Sequence, residues 1–386
     1  MKKQIVSLAL GAVMTASLLS GCGSSSTTDS ASAASSAAKS ASAAAISSSS
    51  ATSSESAAAE TSSSAAGGMD ATGKTIAFLV RSAGNPYIKK EEEGFQQAVE
   101  ACGGTVIIKE PDAATADAQI TMIQSLISQG VDAIAVGAND ANALSASLHQ
   151  AMDAGIKILS VDADVNPEDR ATFVNQAGNQ EIGQALADAV LDITGGEGEW
   201  AILSATSQST NQNAWIEAMQ EIMQDDKYSG LKLDEIAYGD DEPQKSTDQT
   251  QALLSKYPNL KVICSPTTVG IAAAAKVLQD QGSSVKLTGL GLPSEMAEYI
   301  GDDDAHSCPY MFLWNPIDLG KLGGFTAVAL TTGQITGAVG DTFEAEGMEN
   351  SPYTLTALAS GDGSEVILGP PFKFDPENID EWKDVY

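Results

Sequence analysis

The chain has 386 residues, with 20 basic against 51 acidic side chains and a formal net charge of -31. That balance disfavours nucleic acid and anionic membrane surfaces, which need a basic footprint, and favours a neutral or cationic ligand. The length allows two domains once an export segment is removed.

Met1-Lys2-Lys3 is a positive start, Ile5 to Leu19 is an apolar run, and Leu19-Ser20-Gly21-Cys22 closes it. The run is too short and wrongly flanked for a lasting membrane span, so 1–21 reads as a signal peptide. The Leu-Ser-Gly-Cys ending resembles a bacterial lipobox. That resemblance implies cleavage before Cys22 and a lipid thioether on its sulfur. From Gly23 to about Thr72 the chain is almost all Ser, Ala, Thr and Gly, with no aromatic residue. It cannot bury enough surface to offset its ordering entropy, so 22–73 is expected to be a disordered tether.

From Lys74 strands and helices alternate. Strands are expected at Thr75 to Val80, Thr105 to Lys109, Ala133 to Val136 and Ile156 to Val161. Helices of ten to fifteen residues lie between them, closed by Gly103-Gly104, Gly130 and Gly155. This is the pattern of a parallel sheet with helical crossovers. The cycle repeats after Val174-Asn175-Gln176, with strands expected near Trp200 to Leu203, Leu231 to Ala237, Lys261 to Cys264 and Val285 to Gly289. Two similar α/β domains follow from that repeat of architecture. Ile317 to Thr331 reads as a helix. Tyr353 to Leu355 and Glu365 to Leu368 read as a hairpin.

In an open α/β sheet, ligands bind at the carboxyl ends of the strands. Those ends carry hydrogen-bonding residues here: Arg81 and Asn85, Asn139 and Asp140, Asp162 and Asp164, Thr206 to Gln212 (which includes Asn211), Ser265 to Thr268 (which includes Pro266), and Gly291. Such a mixture of carboxylates, amides and a guanidinium suits sugar hydroxyls, and Trp314 and Tyr87 offer flat apolar faces. Asp140 also reads as a helix cap. Asp162 is the favoured ligand acceptor, with Asp164 bracing the turn. The acidic runs Gly239-Asp-Asp-Glu242 and Asp302-Asp-Asp304 read as solvated loops. Cys102, Cys264 and Cys308 are odd in number and match no zinc spacing. Neither His149 nor His306 has a partner suggesting a metal or a triad. No phosphate-binding glycine motif appears, so no metal and no cofactor are expected.

Beyond Lys74 the chain resembles the type I periplasmic-binding-protein family, in particular rhamnose-binding and autoinducer-2-binding lipoproteins of ABC importers. The resemblance is carried by Val-Asp-Ala-Asp164, Phe-Val-Asn-Gln176, Thr-Asn-Gln-Asn-Ala-Trp215, Pro-Thr-Thr-Val-Gly270, Gly-Leu-Gly-Leu-Pro-Ser-Glu-Met296, Leu-Trp-Asn-Pro-Ile-Asp-Leu-Gly320 and Gly-Pro-Pro-Phe372. It implies two Rossmann-like lobes with parallel sheets, joined by three crossovers and closing on one solute without covalent chemistry. The lobes are expected at 74–175 plus about 315–340, and at 176–314 plus about 341–386. By position, Arg81 stands where autoinducer receptors carry a lysine, Asp162 on their strand-end aspartate, Asn211 and Gln212 on an Asp-Gln pair, and Pro266 and Thr268 on a Pro-x-Ala. Gln176 enters with its motif. The Thr-Asn-Gln-Asn and Pro-Thr-Thr-Val stretches look more like the rhamnose receptors; autoinducer-2 or another pentose or hexose is the alternative. The implied partners are a small sugar and the permease and ATPase of an importer. Membrane contact runs only through the lipid anchor, with no nucleic acid. The implied state is a monomer outside the cytoplasm.

Overall fold

In the computed structural model, residues 69–359 and 361–386 are described. The expected signal peptide, the expected lipid site at Cys22 and the expected tether up to residue 68 lie outside them. The described chain is already packed ahead of Lys74. Ala71 is fully buried and donates its N–H to Cys102 O at 2.7 Å, so 69–73 is packed chain and not tether.

The first lobe opens with β1 (Thr75–Leu79), α1 (Pro86–Ala101), β2 (Thr105–Lys109), α2 (Ala116–Gln129), β3 (Ala133–Val136), α3 (Ala141–Asp153), β4 (Lys157–Val161) and β5 (Phe173–Asn175). Capping explains the helix starts. Asn85, Thr115 and Asp140 each accept a backbone N–H in the first turn of α1, α2 and α3. Gly130 ends α2 in the left-handed conformation.

The second lobe runs α4 (Asn179–Thr194), β6 (Gly198–Ser204), α5 (Thr210–Ile222), β7 (Leu231–Tyr238), α6 (Pro243–Lys256), β8 (Leu260–Ser265), α7 (Thr268–Asp280), β9 (Lys286–Gly289), α8 (Pro293–Met296) and β10 (Met311–Leu313). Its parallel sheet has the order β7-β6-β8-β9. After α9 (Pro316–Thr332) come β11 (Thr342–Phe343), β12 (Tyr353–Thr354), β13 (Thr356–Ala357), β14 (Ser364–Ile367), β15 (Phe372–Phe374) and α10 (Ile379–Trp382).

The chain passes between lobes three times: after β5, between β10 and α9, and between β14 and β15. The helix α9 packs on α1, β3, β4 and β5, and so belongs to the first lobe. Glycines make that contact close. A Cβ on Gly94 would collide with Ile317 O, and one on Gly320 with Glu91 O.

Two expectations for the tail need correction. Residues 341–386 do not all join the second lobe. β14 pairs parallel with β5, and the first sheet reads β13-β14-β5-β4-β3-β1-β2. Only from β15, which pairs with β10, does the chain return. The hairpin differs as well: β13 is the antiparallel partner of β14, while β12 pairs with β11. Two-residue strands have too little periodicity to disclose a partner.

Candidate functional site

The carboxyl ends of both sheets face one cleft. Its walls are Arg81, Asn85, Tyr87, Asp162, Asn211, Gln212, Trp215, Pro266, Thr267, Thr268, Leu290, Leu313 and Trp314, around a cavity of about 20 Å³. That is room for about one water. The polar side chains occupy the cleft by bonding to one another.

Asp162 is at the centre. It follows the last residue of β4 and has φ +64, in the left-handed region where a non-glycine residue is uncommon. Ala163 N–H donates to Val161 O at 2.7 Å, closing a three-residue turn that aims the carboxylate into the cleft. Tyr87 Oη donates to Asp162 Oδ1 at 3.0 Å, and Asn211 Nδ2 to Oδ2 at 3.1 Å. Trp314 Nε1 donates in turn to Tyr87 Oη at 2.7 Å. Burial pushes the Asp162 carboxyl up, opposed by the Arg81 charge and the Tyr87 hydrogen bond. Burial also holds the Tyr87 phenol well above its ordinary value, so it stays a donor.

Arg81 spans the lobes. Its Nη1 donates to Asn211 Oδ1 at 3.3 Å and Gln212 Oε1 at 3.2 Å. Its Nη2 pairs with Asp241 Oδ2 at 3.3 Å, and its Nε stands 3.9 Å from Asp162 Oδ2. Burial weighs against the guanidinium charge, but Asp241 and Asp162 outweigh it and its pKa is raised. Three aromatic rings form the apolar wall. Trp314 meets Trp215 edge-on at 5.6 Å between ring centroids and Tyr87 at 6.3 Å.

Of the sequence candidates, Arg81, Asn85, Asp162, Asn211, Gln212, Pro266, Thr268 and Trp314 line this one cavity. Four other candidates lie outside the cavity. Asn139 is a strut: its Nδ2 donates to Arg81 O at 2.8 Å, and its N–H donates to buried Gln119. Asp164 turns the other way and takes Arg170 Nε at 2.6 Å, Arg170 Nη2 at 2.7 Å and Ser160 Oγ at 2.5 Å. Gln176 is buried at the first passage between lobes. Gly291 packs under Met311 Sδ and Met296, each within 2.8 Å of where its Cβ would stand.

Sequence reasoning missed Trp215, Leu290, Leu313 and Asp241, and reached Thr267 only within the Ser265 to Thr268 loop. Trp215 had a signal, since it follows Asn211 by four residues and so shares its helix face. Asp241 had none: its acidic run reads as a solvated loop, yet its side chain is 6% exposed. The histidines also have acidic partners, His149 with Asp169 at 2.8 Å and His306 with Asp303 at 2.7 Å. Cys264 and Cys308 are buried and Cys102 is partly buried. Burial pushes the Cys264 thiol up to about 12. Among the described residues no cluster of three or more His, Cys, Asp and Glu is placed to hold a metal, and no helix is long and apolar enough to cross a membrane. A larger open depression of about 310 Å³ lies at the opposite end of the first sheet, lined by Lys74, Asp132 and Lys157 among others. Lys74 and Asp132 pair with each other there at 2.9 Å, and it has none of the convergent aromatic and amide groups of the cleft.

Two α/β lobes, three passages between them and a buried polar-aromatic cleft define a bilobal solute-binding protein. The chain belongs to the family described as the periplasmic binding protein domain, whose pattern it matches over residues 76–335. It is 58% identical to an ABC transporter solute-binding protein from Clostridium phytofermentas with bound L-rhamnose. That likeness covers 82% of this chain and 100% of the other, with a TM-score of 0.80. LsrB from Clostridium saccharobutylicum in complex with AI-2 is 21% identical over 80% of this chain and 99% of that one, with a TM-score of 0.72, and so shares the fold. The D-apiose import binding protein of Actinobacillus succinogenes is 23% identical over 59% of this chain and 71% of its own length.

Proposed function

We propose that this chain is the capture subunit of an ABC sugar importer and that its solute is L-rhamnose. The observation that carries the reading is the donor pattern of the cleft. Arg81 Nε and Trp215 Nε1 are buried N–H groups with no protein acceptor among the described residues. Leaving such donors unpaired is costly, and a hydroxylated ring supplies acceptors for both. The Trp314, Trp215 and Tyr87 rings offer the C–H surface of that sugar an apolar wall. The relative at 58% identity, whose structure holds L-rhamnose, supports the same choice.

Binding parts the lobes, lets the sugar in and replaces the contacts between side chains with contacts to hydroxyls. Closure then buries the sugar, and the closed form presents both lobes to a permease and its ATPase. Chemistry on the sugar is not part of this reading. The capture subunit is exported by residues 1–21, anchored to the outer face of the cell membrane through a lipid on Cys22, and works as a monomer.

The test is a thermal-shift and calorimetry panel of L-rhamnose, other deoxysugars, pentoses, hexoses and autoinducer-2. L-rhamnose at about a hundred times its Kd should stabilise the fold by about 2.7 kcal/mol. A stronger response to autoinducer-2 would replace rhamnose as the solute. No response to any sugar would overturn the reading.

A further inference from the structure

We infer that Asp241 is a positioning residue that sets the charge selectivity of the cleft; this rests on the sugar-binding reading above. Asp241 lies in the loop between β7 and α6, on the lobe opposite Arg81. Both side chains are buried, 6% and 8% exposed. Asp241 Oδ2 takes Arg81 Nη2 at 3.3 Å and Oδ1 takes Thr267 Oγ1 at 2.5 Å, so both of its oxygens are committed. The backbone there is costly. Asp240 and Asp241 have φ +55 and +53, and two consecutive non-glycine residues persist in that region only where surrounding contacts over-determine them.

Two consequences follow for the site. Asp241 holds Nη2, while Asn211 and Gln212 hold Nη1. The guanidinium is thereby turned so that Nε is its free edge, the donor left for a ligand. Asp241 also brings a second carboxylate, beside Asp162, to one guanidinium. An arginine in a sugar cleft would otherwise invite acidic sugars through a bidentate pair. With both carboxylates in place, a carboxylate-bearing ligand meets surplus negative charge and a committed Nη2. Neutral sugars are admitted and sugar acids are rejected, which is discrimination by repulsion.

Calorimetry on the full chain with L-rhamnose and with galacturonate, a sugar acid on a pyranose ring, tests this. Asp241→Asn keeps the shape and removes the charge. It should weaken L-rhamnose by about tenfold and strengthen galacturonate, moving their affinity ratio by about a hundredfold. An unchanged ratio overturns the charge role, since a residue that merely braced the loop would weaken both ligands alike. Thermal unfolding of the ligand-free chain gives a second arm, with Arg81→Gln, Asp241→Asn and the double variant. The three shifts should be non-additive, and additive shifts overturn the pairing. If the wild type takes up no neutral sugar, the functional reading falls, while this cycle still decides the Arg81–Asp241 pairing.

Discussion

Asp162 takes hydrogen bonds from Tyr87 and Asn211 and lies within ion-pair reach of Arg81. Asp162→Ala strands the Tyr87 and Asn211 donors and removes a charge beside Arg81, and a buried donor left without an acceptor costs more than the bond itself was worth. Sugar binding should weaken by about 2–4 kcal/mol, read by calorimetry. Unchanged affinity would remove Asp162 from the site. Behind it on α1 lies Glu91, buried, with Oε1 unpaired among the described residues. Burial, and then the nearby Asp162 charge, hold its carboxyl well above the ordinary value despite Arg81. A carboxyl raised on folding keeps its proton in the native state while the unfolded chain loses it. Stability therefore falls as pH climbs from the unfolded value through the folded one. Glu91→Gln should match the wild type in acid, where both states are protonated. It should be the more stable protein at neutral pH, in melting curves taken across pH 4 to 8. An advantage that did not grow with pH would show that Glu91 is not held neutral. Asp162 was legible from its place after an apolar strand. Its partners were only partly so, because Tyr87, Asn211 and Trp314 converge from three elements that are distant in the chain.

At the scale of elements, the contact between α1 and α9 carries the first lobe's outer layer. It depends on small residues: Gly94 and Gly324 on either side of the crossing, and Gly320 against the backbone of Glu91. The three atoms nearest a new Cβ at Gly320, Glu91 O and C and Phe95 N, are all backbone, which cannot swing away. Gly320→Ala should therefore push the helices apart and cost about 1–3 kcal/mol in denaturant unfolding, although alanine is the better helix former. A stabilised variant would mean that the helices are not in close contact. The long elements were readable because each combines an apolar face with its own stop signals: Asn85 and Pro86 open α1, and Gly103 lies just past its end. The tail was not. β13 and β14 have two and four residues, and their pairing is fixed by β5, nearly two hundred residues earlier in the chain. Only tertiary contact decides which lobe such strands join. The same holds for Asp241, whose acidic neighbours look solvated until Arg81 is placed beside them.

For the molecule as a whole, the polar contacts that cross the cleft bind one lobe to the other. Arg81, Tyr87 and Asp162 stand on the first lobe, and Asn211, Gln212 and Asp241 on the second. The second lobe's α5 also brings Trp215 against Trp314, which sits at a passage between the lobes. Opening and closing must therefore change the surroundings of these two indoles. Trp200 is fully buried inside the second lobe, and Trp382 packs among Phe372, Phe374 and Tyr386 at the chain's end, away from the cleft. Tryptophan emission is therefore a direct report on closure. Adding L-rhamnose should shift its intensity or wavelength saturably, along the same curve that calorimetry gives. Trp382→Phe should lower the total signal but keep the change. Trp314→Phe should reduce the change to what Trp215 reports and also weaken binding, because it removes the donor to Tyr87 Oη that orients the phenol toward Asp162. A ligand response that survived Trp314→Phe and vanished in Trp382→Phe would place the moving part at the chain's end instead of the cleft, and would overturn closure around this site.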